Sequence, residues 1–264
     1  MMKELRFALY ATKKNIQGSA ELRTSFLTNI AGMAINNTAF IIIWVFFVKS
    51  VGVVNGWTSA DIIGLLGFGT LSFGVVFSAA AGIRKLADYV ANGRFDHFML
   101  SPKNLLVRIA TSSFNASGVG DIIFGIACLT TYALLIHASI YQVLLIVLLI
   151  AISTIMFLSI AVAIYSVSFL FTDANPVTSG LFELFFTPSI FHGGAFHGVT
   201  RVIFTFIVPS LVVGALPVEI VRNISLEKLL LVSVLSFVWF FVSLKLFSMG
   251  VKKYESSNFM TFGG

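Results

Sequence analysis

Residues 141 to 171 read YQVLLIVLLIAISTIMFLSIAVAIYSVSFLF, thirty-one residues without a charge. As a helix rising 1.5 Å per residue this run is about 46 Å long, more than the roughly 30 Å of a bilayer's hydrocarbon core, so it must tilt or project into water. The chain around it has the same character: 58% of the 264 residues are hydrophobic and 11% charged, with a mean hydropathy of +0.98. Soluble domains carry about 25% charged residues. A water-soluble enzyme is thereby excluded, and the membrane span becomes the unit of reading.

Upstream of this run lie spans at Ser25–Val48, Ile62–Ala81 and Leu105–Ile136, the last containing Asp121; downstream lie Val177–Phe191 and Leu229–Met249. This gives an all-α polytopic protein of six transmembrane helices forming one domain over residues 1–264. The stretch from Val177 to Asn223 is interrupted by Pro188, Gly193, Gly194, Gly198, Pro209, Gly214 and Pro217. One straight helix cannot hold it. We expect the fifth span to be followed, over 192–224, by short re-entrant helices whose ends are shielded by protein or a cavity. Two full spans, Val177–Phe196 and Val202–Ile220, would instead make seven crossings. Charge separates the two topologies: with six spans and the N-terminus inside, thirteen Lys and Arg lie inside and only Lys49, Arg201, Arg222 and Lys228 outside, as the positive-inside rule requires. A seventh crossing would move Lys245, Lys252 and Lys253 out. The net charge of +6 is therefore a topology signal, and nucleic acid is not an expected partner.

Over residues 1–18, Met2, Leu5, Leu9, Thr12 and Ile16 share one helical face while Lys3, Arg6, Lys13 and Lys14 fall on the other. This predicts an interfacial helix with its basic side on anionic headgroups; packing on a protein partner is the alternative. The opening residues are charged and lack a small-residue cleavage site, so they are expected to persist in the mature chain. The stretch GIRKLADYVANGRFDHFMLSPKN, 82–104, concentrates Arg84, Lys85, Asp88, Arg94, Asp96 and Lys103 and must lie outside the hydrocarbon. Asn92-Gly93 predicts a left-handed helix end, and Ser101-Pro102 an N-cap with proline at the first helical position.

There is no G-x-x-x-x-G-K-[ST] loop and no G-x-G-x-x-G motif, so any ATP must be held by another chain. Nor is there a G-x-S-x-G elbow, and no catalytic residue is expected. His192 and His197 are five apart across glycines, which suits a polar turn rather than the i, i+4 spacing of a helical zinc site. Cys128, alone in an apolar run, can form no intrachain disulfide or cysteine-based metal site. Asp121 and Glu183 at membrane depth must face protein or a cavity; substrate contact, proton relay and interhelical hydrogen bonding all fit. Gly74, Ser78 and Gly82, four residues apart, permit close helix approach, within the subunit or against a second one. The 28 phenylalanines suit an apolar or amphipathic substrate surface as well as lipid-facing packing. The final YESSNFMTFGG is too brief for a domain.

The amphipathic N-terminal helix, the six spans, the inner connection between spans two and three and the broken segment before span six together resemble the ABC-2-type permease subunits of ATP-binding-cassette transporters. The resemblance covers essentially the whole chain. Its most specific stretch is ANGRFDHFMLSPKNLLVRI, 91–109, similar to that family's G-x-hydrophobic-D-x-x-L-x-x-P signature at Gly93, Phe95, Asp96 and Pro102 and followed by GVGDIIFG. The resemblance implies a multi-pass protein of a bacterial plasma membrane with both termini cytoplasmic, a second permease, identical or homologous, and a separate ATPase subunit holding ATP and Mg. It implies that 82–104 is a cytoplasmic coupling segment, with Gly93, Arg94, Phe95, Asp96 and His97 meeting that ATPase and Phe95 as an exposed aromatic anchor. The expected function is export of a hydrophobic or amphipathic substrate. The alternative is an ATP-independent secondary transporter or channel using Asp121 and Glu183.

Overall fold

The computed structural model describes residues 2–53 and 55–254, and among these there is no strand. The helices are α1 (Met2–Glu21), α2 (Arg23–Val51), α3 (Ser59–Ala79), α4 (Leu86–Ala91), α5 (Phe95–Met99), α6 (Leu105–Ala110), α7 (Ser117–Leu135), α8 (Ile140–Ser166), α9 (Asn175–Ser189), α10 (Gly198–Val202), α11 (Ala215–Arg222) and α12 (Leu226–Lys253). The tail from 255 onward lies outside the described residues. Five of the described helices, α2, α3, α7, α8 and α12, are long and apolar enough to cross a membrane. The protein is thus an all-α polytopic membrane protein.

Local chemistry sets the helix starts. Thr58 and Asp61 form a capping box at α3, with the Thr58 N–H donating to Asp61 Oδ2 at 2.9 Å and the Asp61 N–H to Thr58 Oγ1 at 3.3 Å. Ser139 and Gln142 do the same at α8, and each box satisfies two otherwise orphaned donors. α6 is capped by Asn104, whose Oδ1 accepts from the Val107 N–H at 3.1 Å, and not at the expected Ser101-Pro102.

The expected third span, 105–136, is broken between α6 and α7. Thr111, Ser112 and Asn115 draw the backbone out of the helix: Thr111 and Ser112 donate to Val107 O and Ile109 O at 2.8 and 2.7 Å, and Asn115 Oδ1 accepts from the Ser117 N–H at 3.2 Å. Short polar side chains compete with the helical ladder in this way. The Tyr89 and Ser112 hydroxyls meet at 3.0 Å, tying the break to α4.

α9, expected as the fifth span, has 15 residues, about 22 Å. At its start Asn175 Nδ2 donates to Asp88 Oδ1 at 2.9 Å, and just past its end His192 lies on Trp57, ring centroids 6.0 Å apart. Its neighbours at the two ends are those that flank α3, so the chain from 175 to 192 connects the same two ends of the bundle. From there it turns back. Trp239, midway along α12, donates to Phe206 O at 3.2 Å, and Ser153, midway along α8, to Val212 O at 3.4 Å. α11 then climbs until Val221 O accepts from Gln142 Nε2 at 3.0 Å. Residues 198–222 therefore fold back on themselves as a hairpin, and neither arm has the length of a span. Its tip, Ser210 to Val213, is fully buried, as irregular backbone at membrane depth must be.

Lipid gives helices no hydrophobic reason to associate, so close packing must hold them together. A Cβ on Gly74 would stand 2.7 Å from Gly118 O and 2.8 Å from Asp121 Cβ, one on Gly125 would meet Leu71, and one on Gly82 would run into Ile109 O and Ser112 Oγ. Ser78 lies against Gly118 in the same seam. Gly74, Ser78 and Gly82 thus pack α3 and the turn after it onto α7 and α6 inside the subunit, and are not free to form a dimer surface.

Candidate functional site

At one end of the bundle, the segment after α3 forms a 3-10 turn, Ala81–Lys85, followed by α4, a sharp turn and α5. Gly93 makes the turn with φ +66°, a backbone region that glycine enters without a Cβ penalty; this is the expected helix end. The outcome at Phe95 is different. Phe95 is fully buried, its ring 4.9 Å from Phe169 and 4.7 Å from Tyr254. Phe169 closes the α8 extension and Tyr254 follows α12, so Phe95 clamps the segment to two spans and does not face outward. The sequence reading missed this because Phe95 sits among charged residues. The exposed side chains are Arg94, His97, Met99 at 52% and Leu100 at 83%, with Asp96 half-buried. Arg108 donates to Phe98 O, holding the last turn of α5 with a cation at the helix C-terminus. Arg84 lies 4.9 Å from the Phe77 ring and 5.7 Å from the Phe182 ring, which ties the segment to α3 and α9.

α1 runs beside this end. Its Phe7 ring lies 4.3 Å under Lys103 Nζ, and Asn15 Nδ2 donates to Thr111 O at 2.7 Å. Leu5, Leu9 and Ile16 remain exposed, as an interfacial helix requires.

At the opposite end Arg201, Arg222 and Lys228, which the charge pattern marks only as outside cations, assemble with Glu219 and Asp61 into a network. Arg201 Nη2 donates to both Glu219 oxygens, at 2.9 and 2.8 Å, and Lys228 Nζ donates to Glu219 Oε2 at 2.8 Å. Arg222 donates to Gly56 O at 2.6 Å and to Asp61 Oδ2 at 3.2 Å, and its guanidinium stands 5.8 Å from the Trp57 ring. These contacts fasten both arms of the hairpin to the starts of α3 and α12. Gly193 and Gly194 let the loop lie on Trp57, Asn55 and Glu219: a Cβ on Gly193 would stand 2.5 Å from Glu219 Oε1, one on Gly194 2.7 Å from Asn55 Cβ, and either 3.2 Å from the Trp57 ring. The legible signals were Glu219 and Arg222 three apart on one helix face and an acid at the α3 cap; neither reveals pairing across 161 residues.

Burial pushes the Glu219 carboxyl up, but Lys228 and Arg201 outweigh it and hold it below the ordinary carboxylate range. Burial, and to a lesser degree His197, lowers His192. A lowered glutamate stabilises the fold above its ordinary pKa of 4.5 and loses that contribution as pH falls through the folded value, and a lowered histidine resists protonation below 6.5. Thermal unfolding scans of the purified chain should therefore show stability falling as pH drops below about 6.5, with this first step absent in His192→Phe. Glu219→Gln should cost about 1–2 kcal/mol at neutral pH, the lower part of the charged hydrogen-bond range because both cations are partly exposed. An unchanged melting point in that variant would remove the network as an anchor.

Asp121 and Glu183 are not brought together. Asp121 is buried and accepts from Asn37 Nδ2 at 2.6 Å, an interhelical bond between α7 and α2. Glu183, expected to face protein or a cavity, is exposed on the outward face of α9, where the Thr187 hydroxyl donates to it at 3.4 Å. Phe182 and Phe186, beside it, turn inward onto Phe73 of α3 at 6.4 and 5.4 Å, while the adjacent Gly74 meets Asp121. The two acids thus belong to different flanks of α3.

The described residues thus form a bundle of long apolar helices with a segment clamped at one end by Phe95 and a hairpin latched at the other by Glu219. The family model for the ABC-2 family transporter protein matches residues 33–258, and the chain belongs to that family. It is accordingly an ABC transporter permease subunit, and membership implies association with an ATP-binding cassette subunit and no cofactor of its own. No curated protein and no solved structure matches the chain.

Proposed function

We propose that the chain is the permease of an ATP-driven exporter, working as one of two permeases with ATP hydrolysed by a separate subunit. Residues 82–104 are its cytoplasmic coupling segment, and the latched hairpin over 192–224 its extracytoplasmic closure, with both termini cytoplasmic in a bacterial plasma membrane. The observation that carries this reading is the contrast within α5: Phe95 is anchored against Phe169 and Tyr254 while Arg94, His97, Met99 and Leu100 are presented outward. A partner engaging the outward side would pull on the ends of α8 and α12 through Phe95. Interfaces place their binding energy in such apolar anchors ringed by polar groups. Gly93 makes the turn, and Asp96 supports the segment beside it.

The outward face of α9 supports the second permease. Ser179, Gly180, Glu183 and Thr187 are exposed there, as are Asn29, Gly32 and Asn36 on α2. A carboxylate facing lipid is costly, so this surface is covered by a second copy or homologue and lines the path of a hydrophobic or amphipathic substrate between the two.

Co-purification of the tagged chain from its native host in mild detergent tests the reading. We expect a stoichiometric companion carrying a phosphate-binding loop; recovery of the folded chain alone across several detergents would overturn it. Vesicles reconstituted with this chain only should show no flux driven by a pH gradient. A flux abolished by Glu183→Gln would instead establish ion-coupled transport.

A further inference from the structure

The break in the third span separates α6 from α7, and a groove of about 770 Å³ opens between α6, α8 and α12. Its walls include Ala110, Val162, Leu244 and Phe247, and its rim at the inner end carries Asn104 and Lys252. We propose that this groove is a binding site for one anionic phospholipid of the cytoplasmic leaflet.

Several observations carry this inference. Along α12 the lining runs from Phe240 to Lys252, about 18 Å, close to the roughly 15 Å depth of one leaflet's hydrocarbon. Polarity follows the same axis as a lipid's own: the cation lies at the end where the coupling segment emerges, and the walls toward the bilayer centre are apolar. Two of the serines in those walls spend their hydroxyl protons within their own helices, Ser159 donating to Ile155 O at 2.7 Å and Ser243 to Phe240 O at 2.8 Å. A slot of this volume falls within the range of sites that enclose a single small molecule. Lys252 is exposed, and none of the ion pairs among the described residues includes it. A phosphate is the group that both Lys252 and the Asn104 amide would recognise, and the acyl chain is what the walls would bury. The lipid would fill the space between α6 and α12 and so support the short helix that joins the coupling segment to α7. Its placement in the cytoplasmic leaflet rests on the orientation proposed above, whereas the existence of the site does not.

The test is native mass spectrometry of the full chain in detergent, titrated with phosphatidylglycerol or phosphatidylcholine of the same acyl chains. Detergent has no sidedness, so a wrong orientation leaves the result intact; cysteine labelling of Lys252→Cys from either side of sealed vesicles checks orientation separately. We expect the first lipid retained to be phosphatidylglycerol, by about fivefold over phosphatidylcholine, the effect of one lysine near a lipid surface. Lys252→Gln should bring that ratio to about one, and Lys245→Gln, outside the groove on the same helix, should leave it at about five. Ala110→Trp, filling the groove, should abolish retention of the first lipid of either kind, and Ser248→Trp serves the same purpose if the first variant does not fold. Equal retention of the two lipids by the unsubstituted chain, equal loss of preference in Lys245→Gln, or an unchanged first lipid in a folded tryptophan variant would each overturn the site.

Discussion

Leu100→Asp is expected to weaken association with the ATPase subunit about 30-fold, some 2 kcal/mol, while leaving the permease folded and inserted. Leu100 is 83% exposed and Met99 beside it 52%, so a charge there disturbs no internal contact. Its effect must come from the surface that a partner covers. Arg94→Ala and His97→Ala should act in the same direction but less, since polar groups at the rim of an interface contribute little. Phe95→Ala should behave in the opposite way: removing a fully buried ring typically costs about 3–5 kcal/mol, so thermal stability falls first and partner binding follows. Quantitative pull-down of the companion, paired with a melting curve for each variant, separates the two classes. A Leu100→Asp protein that retains its companion and still transports would remove α5 as the docking element.

Gly74→Ala is expected to destabilise the bundle by about 1–3 kcal/mol, the range for overpacking a tight contact. The new methyl would meet Gly118 O and Asp121 Cβ at 2.7 and 2.8 Å. The first is backbone and cannot move aside without parting α3 from α7. Gly69→Ala, on the same helix with nothing within 4 Å of its added Cβ, should instead stabilise by about 0.4–1 kcal/mol by restricting the unfolded chain. Thermal unfolding in one detergent gives both signs. If the two alanines shifted the midpoint alike, the α3–α7 seam would not be the packing determinant described here.

What the sequence made legible depended on the range of the interaction. Apolar run length locates α2, α3, α8 and α12, and the glycines and prolines after Pro188 foretell the broken, folded-back segment that follows α9, because these signals act within one helix. The break at Thr111 to Asn115 was written in its short polar residues but overshadowed by the hydrophobicity on either side. Phe95 and Glu183 exchanged their expected environments, the aromatic ring going inside and the acid outside. Whether a residue on a short helix points inward is decided by what packs over it, here Phe169 and Tyr254, and no local pattern encodes that. The charged network at the hairpin end was invisible for a similar reason: Asp61 is 161 residues from Arg222, and Arg201 and Lys228 reach Glu219 only once the hairpin has folded back.

That distance bears on how the protein is made. Asp61 and Arg222 are separated by 161 residues, which a ribosome adding about 5–20 residues per second completes in roughly 8–30 s. Through that interval Asp61 exists while Arg222 is still unsynthesised. The oxygen that Arg222 later engages, Asp61 Oδ2, also accepts from the Thr58 N–H and hydroxyl, at 2.9 and 2.8 Å. The helix cap thus satisfies the acid from within three residues, without any contribution from Arg222.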